Sequence, residues 1–178
     1  MDLGIRGRKA LLSGASRGLG KACALALAQE GVNVTIVARK REMLEKMARD
    51  FGRIINIVSR SVKIPQLELG LSNGARSGLV GFVAGLARQT VAHNVTINNL
   101  LPGIFDSDAQ RQHVRGMLEP TGKSFDELWR ARADASPAKR YGRPAELGAY
   151  CAFLCSQHAG FITGQNLLID GGSYPGTY

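Results

Sequence analysis

From residue 13 the chain reads Ser13-Gly14-Ala15-Ser16-Arg17-Gly18-Leu19-Gly20, a turn in which glycine recurs at Gly14, Gly18 and Gly20. Glycine lets a backbone come within touching distance of a ligand, and a helix that starts there points its free N–H groups at an anion. The flanks fit that use. Lys9 to Leu12 is a short, mostly apolar strand, and Lys21 to Glu30 is rich in Ala and Leu and favours helix. Gly31 stands where a helix C-cap belongs, and Val32 to Val37 forms a second apolar strand. Strand, glycine turn, helix and strand make the opening of a dinucleotide-binding unit, with Ser16, Arg17 and Leu19 sharing the pyrophosphate turn. The segment Gly14-Ala15-Ser16-Arg17-Gly18 also fits a G-x-S-x-G nucleophile elbow. That fold builds its oxyanion hole from earlier strands, which the residues before Gly14 do not supply, so hydrolysis is the weaker reading.

Arg39, just beyond the second strand, stands where an acidic residue would hydrogen-bond the ribose hydroxyls of NAD. With Arg17 it favours the 2′-phosphate of NADP, the alternative being that Arg39 only solvates a strand end. Further along, Ser59 ends a buried apolar strand, Ile54 to Val58, and Pro102-Gly103 stops another, marked by Val95, Ile97 and Leu100. Ser107 follows, placed to serve as the N-cap of the next helix.

Composition narrows the classes. A chain of 178 residues with 44% hydrophobic content is one globular domain, 1–178, rather than two. The net charge of +9 raises nucleic acid as a partner, but the basic residues are dispersed and only Arg39-Lys40-Arg41 is a run. Aromatics are 6%, and no DNA- or RNA-reading motif is present, so a small anionic ligand is the better expectation. No apolar stretch has membrane-spanning length, and Met1 to Arg6 lacks a signal-peptide core, which makes the cytoplasm the default. Cys23, Cys151 and Cys155 lack metal-ligand spacing and read as buried or half-buried thiols, with Cys151 and Cys155 on one helix face. His93, His113 and His158 are scattered and read as surface or satisfied histidines rather than ligands or bases, and no metal site is expected.

The remaining elements alternate strand and helix, the α/β pattern. A polar helix is expected from Glu42 to Asp50 and a long one from Ser72 to Thr90, with Leu79, Phe82, Val83 and Leu86 on one apolar face. Residues 104–140 turn polar, with helices near Asp108–Met117 and Ser124–Arg132. Leu118, Phe125 and Trp129 would form an apolar lid over a substrate. Pro144 suits a first helical turn, and Gln165 to Ile169 is a last strand.

Taken in order, these segments resemble a short-chain dehydrogenase/reductase of the 3-oxoacyl-carrier-protein-reductase-like branch. The resemblance rests on Gly14, Gly18 and Gly20, on Gly52 to Ser59, and on Asn98-Asn99-Leu100-Leu101-Pro102-Gly103. It continues through Gly142-Arg143-Pro144, Ile162-Thr163-Gly164-Gln165 and Asp170-Gly171-Gly172, covering most of the chain. It implies a Rossmann-type, doubly wound parallel sheet, an NADP-dependent reduction of a carbonyl or oxidation of an alcohol, and a homodimer or homotetramer. Pro102, Gly103 and Ser107 would lie against the cofactor.

Two departures from the family pattern stand out. Its catalytic signature is a Ser, a Tyr thirteen residues on and a Lys four beyond, whereas counting here gives Ser59, Ser72 and Arg76. No Tyr-x-x-x-Lys occurs anywhere. Ser59 keeps the role of hydrogen-bond donor to a carbonyl. A serine hydroxyl is far less acidic than a phenol, so Ser72 serves equally as a helix N-cap, and Arg76 as a contact to cofactor ribose or a source of local positive potential. These replacements keep open a second reading, an NADP-binding sensor or partner subunit without reductase chemistry. The other departure is an absence: the family's third and fourth strands, with their helices, have no counterpart between Asp50 and Phe51. A direct connection there would carry the Glu42–Asp50 helix to the face opposite the Lys21–Glu30 helix.

Overall fold

The computed structural model describes residues 1–13, 15, 17–37 and 52–177. The expected Glu42–Asp50 helix, the Asp50–Phe51 junction, and Gly14, Ser16 and Arg39 lie outside the described residues. The first ribbon is β1 (Lys9–Ser13) paired in parallel with β2 (Asn33–Val37), from Lys9 opposite Asn33 to Ser13 opposite Val37. Between them runs α1 (Gly18–Gln29), and Gly31 just past its end takes φ +79°, the left-handed conformation that closes a helix. The second ribbon is β3 (Gly52–Ile57), β4 (Val95–Pro102) and β5 (Asn166–Ile169), all parallel with β4 central.

Among the described residues no ladder joins β1 to β3. The sheet expected to be continuous is therefore two ribbons. The family that the sequence resembles places a strand between these two edges, and none lies there among the described residues. Side chains hold the ribbons together instead. Leu12 of β1 and Ile55 of β3 both pack on the core of Cys23, Leu100, Phe105, Leu147, Cys151 and Leu154. Leu147, Cys151 and Leu154 come from α6 (Pro144–Leu154), which lies directly on α1. A methyl at Gly148 would stand 2.6 Å from the Ala22 carbonyl oxygen, so glycine is what lets these two helices approach.

The opposite face of the second ribbon is covered by α2 (Gly70–Thr90), whose Val83 and Ala87 pack on Ile97 and Ile54. Helices on both faces of parallel strands make the doubly wound α/β architecture. Two expectations for α2 are corrected. It starts at Gly70 behind a 3-10 turn, Leu67–Leu69, so Ser72 lies inside the first turn rather than capping it. The apolar face is also narrower than the spacing implied. Val83 and Ala87 turn inward, whereas Leu79 and Phe82 are 40% and 68% exposed.

Between β4 and α6 come α3 (Asp108–Arg115), α4 (Leu118–Thr121) and α5 (Phe125–Ala135). The one-turn α4 had no sequence signal. Ser124 caps α5 in a reciprocal box: its Oγ accepts from Glu127 N at 3.3 Å, and Glu127 Oε2 accepts from Ser124 N at 2.8 Å. Pro144 takes the first position of α6, as expected.

Candidate functional site

Ligands of open α/β sheets bind beyond the carboxyl ends of the strands, and several polar residues of this chain collect there. Val58 N donates to the Leu100 carbonyl at 2.8 Å and holds β3 in register to its last residues. Ser59 then caps a single 3-10 turn, Arg60–Val62, and its Oγ accepts from Ser61 N at 3.1 Å. That bond fixes the oxygen and leaves its O–H free to point at a ligand. Ser61 is 3% exposed, and its own Oγ has no hydrogen-bond partner among the described residues. At the end of β4, Gly103 N donates to Ile169 O at 3.0 Å, and a Cβ on Gly103 would meet Asp170 Cα at 2.7 Å. Glycine is required at this crossing. The Asp170 carboxylate accepts from Gly172 N at 3.0 Å and Tyr174 N at 2.9 Å, which ties the segment after β5 into a turn.

The anion end is built by α1. Gly18 has φ +60° with open space where a Cβ would project, and Arg17 before it is extended and exposed. Among the described residues no side chain caps this helix, and no acidic residue stands in its first turn. Among the described residues the first N–H groups of this twelve-residue helix have no side-chain cap, an arrangement that suits a phosphate. Leu19 points the other way, onto the core around Cys23 and Leu147, and Gly20 continues the first turn.

Ser107 N-caps α3, its Oγ accepting from Gln110 N at 3.3 Å. Ser72 and Arg76 are half-buried among exposed neighbours and share the stripe of α2 that carries Val83. The same helix packs against the 3-10 turn that Ser59 opens. Ser59, Pro102 and Gly103 therefore stand at the strand ends, α2, which carries Ser72 and Arg76, packs beside the Ser59 turn, and Arg17 and Gly18 stand at the start of α1.

Residues 104–140 form a stacked aromatic cap. Trp129 lies between Phe125, at 5.4 Å between ring centroids, and Tyr141, at 3.8 Å. Tyr141 donates its O–H to Trp129 O at 3.3 Å, and burial pushes its phenol above the ordinary range. The Arg111 guanidinium rests 4.8 Å from the Trp129 ring and is held there by both carboxylate oxygens of Asp106. A cavity of about 160 Å³ lies between this cap and the end of β5, lined by Phe105, Gly142, Glu146, Ile169 and Gly171 among others. A larger groove, about 720 Å³, runs between α1 and α6 and touches the strand-end cluster nowhere.

One contact on this edge has no local sequence signal: Lys63 Nζ lies 5.3 Å from the centroid of the Tyr174 ring. Most of the chain separates the two residues, and only the pairing of β3, β4 and β5 brings them together.

Residues 40–174 match the family model described as enoyl-(acyl carrier protein) reductase, and residues 8–51 match that of the short chain dehydrogenases. The chain belongs to the short-chain dehydrogenase/reductase family. Among family members, the NADPH-dependent reductase BacG of Bacillus subtilis is 34% identical over 138 residues, 78% of this chain and 53% of BacG. The 3-oxoacyl-[acyl-carrier-protein] reductase FabG of Vibrio cholerae is 33% identical over 146 residues, covering 80% of this chain and 54% of FabG. The chain spans about half the length of the curated relatives it matches. In fold it is similar to L-sorbose reductase from Gluconobacter frateurii, with TM-score 0.88, 20% identity, and 99% and 100% of the two chains covered. It is likewise similar to YwfH, with TM-score 0.84, 23% identity, and 96% and 99% covered. Counted from Ser59, Ser72 and Arg76 fall where the family's signature has its Tyr and Lys.

Proposed function

We propose that the protein is an NADP-dependent oxidoreductase acting on a carbonyl or alcohol substrate. The observation that carries this reading is the uncapped, glycine-lined N-terminus of α1 with Arg17 at its mouth. Those N–H groups fit a pyrophosphate, and Arg17 with Arg39 would meet the 2′-phosphate through charge-assisted contacts. The relative named an NADPH-dependent reductase, and L-sorbose reductase, whose structure was obtained with NADPH, support the choice of cofactor. When bound, that cofactor supplies a hydride. Pro102 and Gly103 would give the nicotinamide a flat bed, and Ser107, which keeps one hydroxyl proton while capping α3, would hold its amide. Ser59 would donate to the substrate oxygen and stabilise the charge that develops on it. Ser72 and Arg76 shape the wall of α2 facing Ser59, with Arg76 supplying positive potential rather than a proton.

Residues 104–140 serve as the lid of the single domain 1–178, with Phe125, Trp129 and Leu118 meeting an apolar part of the substrate. A second copy of the chain is the partner that fits the outer face of α2. There Leu71 and Phe82 are 95% and 68% exposed, beside the open backbone of Gly78, Gly81 and Gly85. Neither nucleic acid nor membrane enters this reading, and no helix among the described residues is long and apolar enough to cross a bilayer. A cytoplasmic, reducing setting suits the free thiols Cys23, Cys151 and Cys155.

Parallel fluorescence titrations with NADPH and NADH test the assignment. NADPH should bind tenfold or more tightly, as contacts worth roughly 1.5–3 kcal/mol to a charged group imply. Equal affinities, or an unchanged ratio in Arg39→Asp, would refute it.

A further inference from the structure

Lys63 and Tyr174 approach the strand-end edge from opposite sides. Lys63 closes the 3-10 turn that Ser59 opens. At about 2 Å of rise per residue, its Cα stands within about 8 Å of that of Ser59. Tyr174 follows β5, with its backbone N–H pinned by the Asp170 carboxylate at 2.9 Å. Because β3 and β5 flank β4, their exits are about 10 Å apart. The ammonium of Lys63 meets the Tyr174 ring 5.3 Å from its centroid, so the segments that follow β3 and β5, the two strands flanking β4, come into contact.

The other hydroxyls suit proton donation less well. Tyr141 spends its O–H on Trp129 O, and burial pushes its phenol up. Tyr150 lies in α6, and burial pushes its phenol up too. Ser72 is an alcohol and a far weaker acid than a phenol. Ser61, between Ser59 and Lys63 in the chain, is buried with a hydroxyl that has no partner among the described residues, which adds a polar demand beside Ser59.

We propose that Tyr174, with Lys63 beside its ring, is the proton donor for the carbonyl that Ser59 polarises. The proposal rests on the NADP-dependent reading. The carbonyl carbon accepts a hydride, the C=O π pair moves onto oxygen, and that oxygen takes the Tyr174 proton as the phenolic O–H bond breaks. The products are an alcohol, the oxidised cofactor and a tyrosinate, which recovers its proton from water. Lys63 acts as a positioning residue: its charge holds the ring and stabilises the negative charge the ring acquires.

The test uses the full chain with NADPH and ethyl acetoacetate, following absorbance at 340 nm, with NADPH affinity measured separately by fluorescence. Tyr174→Phe should lower kcat by roughly 10²–10⁴, the usual worth of a general acid. KM and NADPH affinity should stay within about threefold of wild type, the signature of an interaction made only in the transition state. Lys63→Met should also lose kcat, and Lys63→Arg should recover most of it. A Tyr174→Phe variant with kcat near wild type overturns the proposal. So does a wild type that binds NADPH yet reduces neither ethyl acetoacetate nor diacetyl, since the proposal supplies a complete acid. A chain that does not bind NADPH overturns instead the NADP-dependent reading itself.

Discussion

The side-chain amide of Asn56 donates to Asn99 Oδ1 at 2.9 Å across β3 and β4, and Asn99 passes the ladder on by donating to Asn166 Oδ1 at 2.8 Å. Three amides thus cross the second ribbon just below the strand ends that carry Ser59, Gly103 and Asp170. Asn99 is 1% exposed, so its own amide depends on these two partners rather than on water. Replacing it leaves two half-buried amides unpaired, at about 1–3 kcal/mol for each. Asn99→Ala should therefore lower the urea midpoint markedly, while Asn56→Ala costs less. Equal, small losses in both would show that the ladder contributes little.

The contact between α1 and α6 stands in for the strand ladder that β1 and β3 lack. Gly148→Ala would drive a methyl into the Ala22 carbonyl, and overpacking of this kind costs about 1–3 kcal/mol. Chemical denaturation should show that loss, together with weaker NADPH binding, because α1 carries the phosphate turn. A neutral substitution would mean that the helices tolerate separation and that the ribbons are held otherwise.

Glu146 accepts from Arg140 at 2.8 and 2.9 Å and from Arg143 N at 2.7 Å. Hydrogen bonds from the Arg140 guanidinium, then from the Arg143 backbone, hold its carboxyl down to about 2 from an ordinary value of 4.5. A carboxylate depressed by folding stabilises the native state above its unfolded pKa and loses that contribution as pH falls toward the folded value. Stability should thus decline between about pH 4.5 and about 2, and Glu146→Gln should flatten that limb. An unchanged acid limb in the variant would assign the decline to other groups.

The Cys151 thiol is pushed up, chiefly by its hydrogen-bond contacts with Cys155 and Cys23, with burial adding to the effect. Cys155 is only partly buried, whereas Cys23 and Cys151 are 2% and 4% exposed. Alkylation followed by peptide mass spectrometry should label Cys155 in the folded protein, and the other two only after unfolding. Early labelling of Cys151 would contradict this packing.

Much of the fold was legible because its signals are local. Ser124 with Glu127, Pro144 at its helix start and Gly31 past its helix end act on backbone groups within a few residues. Ser107 was open between a cap and a cofactor contact, and its bond from Gln110 N shows the cap. Apolar spacing misassigned Leu79 and Phe82 because α2 faces a narrow ribbon that covers only the Val83–Ala87 stripe. Ser72 fell inside a helix because the Leu67–Leu69 turn starts it early and Asn73 ties back to Gln66 O at 2.7 Å. The Lys63–Tyr174 contact exists only through strand pairing, so no window of sequence contains it.

The central claim is hydride transfer at the edge defined by Ser59, Gly103 and Tyr174. Incubating the chain with NADPH deuterated at both nicotinamide C4 positions and ethyl acetoacetate tests it directly, with the hydroxy ester analysed by mass spectrometry. The account predicts a slowly formed alcohol carrying one deuterium on the former carbonyl carbon, and loss of that product in Ser59→Ala. An unlabelled alcohol, or labelled product undiminished in Ser59→Ala, would contradict it.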